Sequence, residues 1–205
     1  MRRTDYAARA LQIMEDRANG LHEILPIDYE AEARGAVERR LAAEALTLGE
    51  DDGRHPRYVV DEREQIPWWL AAPAMYPHVE RGTLESGDYS LEGYEDRVAV
   101  ERKTLADLFG SCGGGRERFE REWERMSHLD FAVVVIEASF SDVLRGPERS
   151  RMAPKAVINT LLAWSVRYGV HVVYAGNRRS AERLGYRMLE WFWREQRRET
   201  LRGAK

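Results

Sequence analysis

The sequence predicts an α/β protein in which helices flank a central mixed β-sheet, with a helical extension at the N-terminus. Three observations indicate this class. Residues 87–107 alternate apolar and polar side chains around a glycine-containing turn, which is typical of a hairpin. Residues 131–137 form a continuous apolar run, which is typical of a strand covered on both faces. Residues 153–168 and 177–198 instead repeat apolar side chains at helical spacing.

Residues 1–55 are predicted to form the helical extension, followed by a single domain of residues 56–205. Apolar residues recur at helical spacing over 4–19 and 28–47, and Pro26 separates the two segments. The simplest interpretation is that this extension packs on the domain or on a second copy of the chain. A separate partner-binding role is the alternative.

Residues 57–61 are predicted to form the first strand of the domain, which ends at Asp61 and opens into a loop that contains Glu64. Functional side chains concentrate in loops of this kind. Trp68 and Trp69 follow among prolines, and we expect them to cover one end of the sheet. Stacking on nucleic-acid bases is the less common alternative for such tryptophans.

The hairpin brings two carboxylates and a lysine to one place. With its turn at residues 93–96, Asp88 lies opposite Glu101, and such cross-strand pairs have Cβ atoms about 4.5–5.5 Å apart. The two-residue period of a strand adds Lys103 to the same face and turns Arg102 to the other.

Two facing carboxylates repel each other unless a proton, a lysine or a cation lies between them. A hard divalent cation meets this requirement, since magnesium and manganese prefer oxygen ligands and magnesium commonly takes one or two protein carboxylates. Asp88 and Glu101 are therefore candidate metal ligands, and Lys103 is placed to position or deprotonate a water molecule. An exposed cluster of charged residues is the alternative explanation for this spacing considered alone.

Two helices and a strand complete the predicted domain. A helix is predicted to begin after Thr104, with Asp107 as the acid of its N-terminal cap. Residues 110–115 are rich in glycine and form a hinge, but they lack the G-K-[ST] of a phosphate-binding loop, so we expect no nucleotide cofactor. Residues 116–128 read as a helix and residues 170–175 as a second buried strand.

Composition excludes several classes of protein. No apolar run is long enough to cross a membrane, so we expect no membrane partner. A single cysteine, Cys112, excludes an internal disulfide and a cysteine-rich zinc site, and the cytoplasm is the expected location.

Charge is distributed unevenly along the chain. Residues 1–55 carry a net charge of −4, residues 56–144 carry −8 and residues 145–205 carry +9, counting lysine and arginine against aspartate and glutamate. An acidic middle and a basic end suit a protein that holds phosphates beside a metal ion.

The last predicted helix has two distinct faces. Its apolar face is expected to comprise Ala181, Leu184, Met188, Trp191 and Phe192. A second stripe, within about 60° at 100° per residue, comprises Arg183, Arg187, Arg194 and Arg198. These arginines either follow a phosphate backbone or form a solvated face held by Glu190 and Glu195, and the sequence favours neither alternative.

Three motifs in order resemble a known family. VVDERE (residues 59–64), GDY (87–89) and VERKTLADL (100–108) fit the D-x-R-E, G-D and E-R-K-x-x-x-D signatures of XPF/Mus-type structure-specific endonucleases. These enzymes are a branch of the PD-(D/E)XK, restriction-endonuclease-like nucleases. The resemblance runs from about residue 57 to about residue 193. It is strongest to compact bacterial and phage members that carry only the nuclease domain, and the chain has no room for the tandem helix-hairpin-helix module of larger members.

The resemblance implies a metal-dependent endonuclease that hydrolyses DNA phosphodiester bonds at branched or flap structures. Magnesium would be the cofactor, with manganese able to substitute. The family motif adds Asp61 and Glu64 as a further acidic ligand or as a partner of the attacking water. It also assigns Arg102 to support of the site or phosphate contact, and Arg63 to DNA binding. A non-catalytic DNA-binding or scaffold subunit is the alternative, which intact Asp88, Glu101 and Lys103 argue against.

The family also implies dimers built through the nuclease domain. Trp164, Trp191 and Trp193 exceed what one small core needs, so we expect a homodimer interface on the last two helices.

Overall fold

The computed structural model describes residues 55–71, 73 and 76–203, so the helices predicted over 4–19 and 28–47 lie outside the described residues. In chain order the elements are β1 (Tyr58–Asp61), a 3-10 turn (Trp69–Ala71), β2 (Val79–Gly82), β3 (Tyr89–Leu91), β4 (Val98–Lys103), α1 (Leu105–Cys112), α2 (Arg116–Met126), β5 (Phe131–Ile136), α3 (Phe140–Arg145), α4 (Pro154–Tyr168), β6 (His171–Tyr174) and α5 (Arg178–Gly203).

The six strands form one mixed sheet in the order β2-β1-β3-β4-β5-β6. Strand β1 runs parallel to β2 and antiparallel to β3, and β3 runs antiparallel to β4. Strands β4, β5 and β6 are parallel. The predicted class, a mixed sheet flanked by helices, is confirmed. Strand β2 was not predicted, because its sequence Val-Glu-Arg-Gly is short and polar, as an edge position allows.

The run of apolar residues in β5 is explained by its neighbours. It lies between β4 and β6 under helices, and all its residues except Phe131 are buried. Strand β6 was also expected to be buried, but it forms an edge of the sheet, where His171 is exposed and the other residues are half-buried. Its valines pack against both layers, but β6 has a neighbouring strand along one edge only, which the apolar sequence alone does not reveal.

Helices α1 to α4 form one layer of the domain. Parallel strands need long crossovers, and these helices supply the connections from β4 to β5 and from β5 to β6. The core of this layer is aromatic, with Trp123 and Trp164 both within 6 Å of Phe119 between ring centroids. These rings pack with the buried Val134 and Ile136 of β5.

Helix α5 and the Trp68–Trp69 segment cover the opposite face. Both tryptophans are buried, which argues against base stacking. A Cβ atom on Gly185 would lie 2.7 Å from Cζ3 of Trp68, so only glycine allows this close approach of helix and ring.

The buried face of α5 differs from the predicted one. Ala181 and Leu189 are fully buried, whereas Leu184 and Trp191, which were expected on the apolar face, are 36% and 45% exposed. The close approach at Gly185 turns the face with Ala181, Gly185 and Leu189, spaced four residues apart, towards the tryptophans and leaves Leu184 and Trp191 at the margin of the contact. Within the described part of the chain, no helix is sufficiently long and apolar to cross a membrane.

Candidate active site

The hairpin of β3 and β4 has the predicted register. Tyr89 pairs with Val100, and the Asp88 N–H donates to the Val100 carbonyl over 2.9 Å, which places Asp88 opposite Glu101. The turn is closed by the Tyr94 N–H, which donates to the Leu91 carbonyl over 3.0 Å.

Gly87 positions Asp88 at the end of β3. Its φ of +72° favours glycine, and a Cβ atom there would lie 2.9 Å from Cβ of Ala99 and 3.1 Å from the Val100 carbonyl oxygen. The Gly87 N–H donates to Oε1 of Glu122 on α2 over 2.8 Å. The glycine of the G-D motif is therefore required by both conformation and space.

The side-chain carboxylate of Asp88 accepts a backbone hydrogen bond from β4, as the carbonyl of a neighbouring strand would. Its Oδ2 accepts from the Arg102 N–H over 2.7 Å, beyond the last regular pair of the hairpin. The N–H and C=O of one residue in an antiparallel strand point to the same neighbour. The Arg102 carbonyl is therefore directed to the edge of β4 that Asp88 occupies.

Glu101 and Lys103 share the face of β4 that is covered by α1 and α2. Their side chains form an ion pair, with relative exposures of 9% for Glu101 and 14% for Lys103. The Lys103 Nζ also lies 5.0 Å from the ring centroid of Phe119. Burial and this ring fix the ammonium close to both carboxylates.

Negative charge exceeds positive charge at this position. Burial raises the pKa of Asp88 well above its usual range, and the nearby Glu101 raises it further. Burial likewise raises the pKa of Glu101, although Lys103 opposes this effect. Burial alone would lower the pKa of Lys103, but Glu101 and Asp88 are the main charges that raise it above its ordinary value. One ammonium is thus insufficient to offset the surrounding carboxylates, and the site favours an added cation.

Arg102 points to the opposite face of β4, as predicted, where Glu137 holds it. Its Nε and Nη2 donate to the two carboxylate oxygens of Glu137 over 2.7 and 3.2 Å, and its Nη1 donates to Glu64 over 3.2 Å. Glu137 also accepts from Nε1 of Trp68 over 2.6 Å. Glu137 was not among the predicted site residues, because its only signal in the sequence is an acid directly after the apolar run of β5.

Glu122 is a second acid that the sequence analysis missed. It bonds to Gly87 and contributes to the raised pKa of Glu101, after burial and against the effect of Lys103. Glu122 lies in the predicted helix 116–128 among many charged residues, so the sequence does not distinguish it from a solvent-exposed acid.

Asp61 and Arg63 stabilise the loop after β1. Both oxygens of Asp61 accept hydrogen bonds, from the backbone and guanidinium of Arg63 and from the Leu84 N–H. Burial alone would raise the pKa of Asp61, but these bonds lower it. The Arg63 Nη2 also donates to the Leu84 carbonyl over 2.6 Å. This geometry gives Asp61 a structural role, and its role as a further metal ligand or as a partner of the attacking water stays a prediction.

The arginine stripe of α5 is largely engaged within the helix. Arg187 and Arg194 both pair with Glu190, and Arg198 pairs with Glu195. Arg183 lies near the Tyr76 hydroxyl, whose pKa burial raises and Arg183 partly lowers. This arrangement is the solvated face held by glutamates, and DNA binding by these arginines stays a prediction.

The donors at the hairpin fit a divalent metal ion with few protein ligands. Among residues 55–71, 73 and 76–203, no group of three or more histidine, cysteine, aspartate or glutamate side chains is placed to hold a metal ion. The two facing carboxylates of Asp88 and Glu101 are nevertheless hard oxygen donors in a site with excess negative charge. Magnesium commonly takes one or two protein carboxylates and keeps its other positions for water and phosphate.

Comparison with known proteins gives consistent matches. Residues 60–188 match the ERCC4 domain family. The DNA repair endonuclease XPF of Cricetulus griseus is 37% identical over 89 residues, which cover 41% of this chain and 9% of that protein.

Two solved structures share the fold. XPF from Aeropyrum pernix matches with a TM-score of 0.54 and 23% identity, over 65% of this chain and 60% of the other. The same protein in complex with DNA matches with a TM-score of 0.55 and 23% identity, over 69% and 66%. The chain thus spans less than two thirds of the length of each of these relatives.

Proposed function

Because the chain belongs to the ERCC4 domain family, we propose that it is a metal-dependent endonuclease that hydrolyses DNA phosphodiester bonds at branched or flap structures. The observation that carries this proposal is the hairpin geometry, in which Asp88 faces Glu101 and Lys103 pairs with Glu101. The names of the relatives support it, since one is a DNA repair endonuclease and one structure is a complex with DNA.

Asp88 and Glu101 would hold a magnesium ion, with manganese able to substitute, and the Arg102 carbonyl is a further oxygen donor on that edge. Such an ion, when bound, supplies Lewis-acid polarisation of the scissile phosphate and acidifies water. The Arg102 N–H fixes the orientation of the Asp88 carboxylate. Gly87 gives Asp88 its backbone position.

Lys103 is the cationic group of the site. Glu101 and the ring of Phe119 hold its ammonium within the pocket. A preorganised ammonium stabilises the negative charge that develops on phosphate oxygens during hydrolysis, and it donates to the attacking water. On the opposite face of β4, Arg102 holds the strand in place through its ion pairs with Glu137 and Glu64.

The test is cleavage of end-labelled single-stranded, duplex, flap and fork DNA with magnesium, with manganese and with EDTA. We expect metal-dependent cutting of branched substrates, and a loss of at least about a hundredfold in Asp88→Asn and in Glu101→Gln, because each replaces a negatively charged oxygen ligand with a neutral amide. A matched control is Glu195→Gln, which changes an exposed acid of α5.

Two outcomes would refute the proposal. Wild-type cleavage rates in both Asp88→Asn and Glu101→Gln would exclude these residues from catalysis. Tight DNA binding by the wild-type chain without cutting of any substrate would instead identify a scaffold subunit.

We also propose a homodimer built through α4 and α5. Exposed apolar side chains support this proposal, since Leu162 and Val166 on α4 are 60% and 89% exposed and Trp191 on α5 is 45% exposed. Light scattering after gel filtration should give twice the chain mass for the wild type, and the single chain mass for Val166→Glu with Trp191→Glu. A monomeric wild type at micromolar concentration would contradict it.

A further inference from the structure

A groove beside the candidate site is lined by two loops that the proposed reaction does not use. One loop joins α1 to α2 and the other joins α3 to α4. We name it the arginine groove, and its main lining residues are Phe109, Gly114, Arg116, Arg149, Arg151 and Met152. Its volume is about 800 Å³, within the range of about 300–1,000 Å³ that is typical of ligand sites.

The groove and the candidate site share one layer of the domain. Helix α1, whose residues form one wall, begins two residues after Lys103. The eight residues of α1 separate the end of β4 from the loop that lines the groove, a distance of about 12 Å along the helix. The groove therefore lies close to a DNA strand that occupies the site.

The rim of the groove carries exposed arginines, with one acid, Glu148, in the same loop. Arg149 and Arg151 are exposed, and neither makes an ion pair with a carboxylate within the part of the chain that the structure describes. Arg116 is held by a hydroxyl and a ring instead of an acid, since its Nη1 donates to Oγ1 of Thr160 over 2.9 Å and its guanidinium lies 4.8 Å from the Trp164 ring centroid. Arg187, Arg194 and Arg198 of α5 differ, because each of them pairs with a glutamate.

The floor of the groove is apolar and its wall is open. The half-buried Met152 contributes carbon and sulfur surface to the floor, above the buried ring of Phe109. A Cβ atom on Gly110 or Gly114 would meet nothing within 4 Å, and neither residue has the positive φ that requires glycine. The wall of the groove at these two glycines therefore faces open space.

We propose that the arginine groove binds an unpaired nucleotide segment of the DNA strand that reaches the candidate site. Arginines at the rim hold phosphates, and the apolar floor receives a base, which is the combination that single-stranded nucleic acid requires. A duplex presents its bases in pairs inside the helix and has none to offer to this floor. The inference rests on the proposed function, since it places DNA beside the residues assigned to cleavage, and it supplies a structural basis for preferring branched DNA.

The experiment measures DNA binding by the full chain in EDTA, by fluorescence anisotropy, with a labelled single strand and with the matching blunt duplex. Arg149→Glu with Arg151→Glu should weaken single-strand binding about tenfold or more and duplex binding by less than about threefold. The matched control is Arg167→Glu with Arg202→Glu, which changes the charge equally at exposed positions outside the groove lining. Arg167 lies at the far end of α4, about 20 Å along the helix from the groove.

A second pair of variants separates the groove from charge alone. Gly114→Glu places a carboxylate in the open space of the groove and should weaken single-strand binding, whereas Gly114→Ala should leave it unchanged. Equal weakening of single-strand and duplex binding, equal effects of the control pair, or wild-type binding by both groove variants would each overturn the inference. DNA binding is measured here without cleavage. If the chain cuts no DNA but the groove variants lose single-strand binding more than duplex binding, the proposed function is refuted and the inference about the groove still holds.

Discussion

Replacing Glu137 with alanine is expected to destabilise the domain by about 3–5 kcal/mol, because it removes the partner of a buried arginine. Relative side-chain exposure is 10% for Arg102 and 8% for Glu137, so neither charge has water to replace its partner. Arg102 would retain only the longer contact to Glu64, of 3.2 Å. Nε1 of Trp68 would also lose the acceptor that lies 2.6 Å away.

The size of this effect follows from the number of lost bonds. An uncompensated buried charge costs about 3–5 kcal/mol. An unsatisfied buried donor costs about 1–3 kcal/mol, and the Trp68 indole N–H adds a fraction of this if the ring can shift towards another acceptor. Taking about 4 kcal/mol, the melting temperature should fall by about 8–16 °C in a chain of this length. Glu137→Gln retains an acceptor for Arg102 and should cost less.

The assay is equilibrium unfolding in urea with tryptophan fluorescence, which yields both the free energy of unfolding and its dependence on denaturant. The matched control is Glu195→Ala, which removes an exposed acid paired with Arg198 and should change stability by less than about 1 kcal/mol. A loss below about 1 kcal/mol for Glu137→Ala would refute the assignment of Glu137 as the anchor of Arg102. In the double variant Glu137→Ala with Arg102→Met, the loss of stability should be smaller than in Glu137→Ala alone, because no unpaired buried charge remains. An equal loss in the double variant would refute the assignment as well.

Three further predictions concern positions fixed by packing. Gly87→Ala should impair any metal-dependent DNA cleavage about as severely as Asp88→Asn, because its Cβ atom would strike Ala99 and displace Asp88; DNA cleavage assays check this result. Gly185→Ala should destabilise the chain by about 1–3 kcal/mol in the urea assay, since its Cβ atom would lie 2.7 Å from Trp68. Burial raises the pKa of Cys112 from 9.0 to about 11, so its reaction with iodoacetamide should be slow at pH 8 and should rise with pH to about 11; rapid labelling of the folded chain at pH 8 would contradict this.

The hairpin could be predicted from sequence because its determinants are local. The turn, the alternation and the relation of Asp88 to Glu101 all lie within one short segment, and strand geometry alone sets which side chains share a face. The central strand β5 was predictable for a related reason, since burial on both faces leaves a continuous apolar run.

The partners of the hairpin could not be predicted in the same way. Glu137 and Glu122 meet Arg102 and Gly87 across 35 residues each, and nothing in their own segments distinguishes them from solvated acids. The orientation of α5 depends on the fit of Gly185 against Trp68, which hydrophobic periodicity does not encode. Edge position likewise comes from the whole sheet, which is why β6 appeared buried.

The hairpin also has a consequence for the order of folding. The bond from Arg102 to Asp88 spans 14 residues, so closing it requires little loss of chain entropy. The bonds that fix the Trp68–Trp69 segment span 69 residues to Glu137 and 113 residues to Glu182, and they must await the arrival of β5 and α5. The two acids are therefore set against each other by a contact of low sequence separation, which can form early. The contacts of the Trp68–Trp69 segment form later and exclude water from the opposite face of the sheet, after Asp88 and Glu101 are already in place.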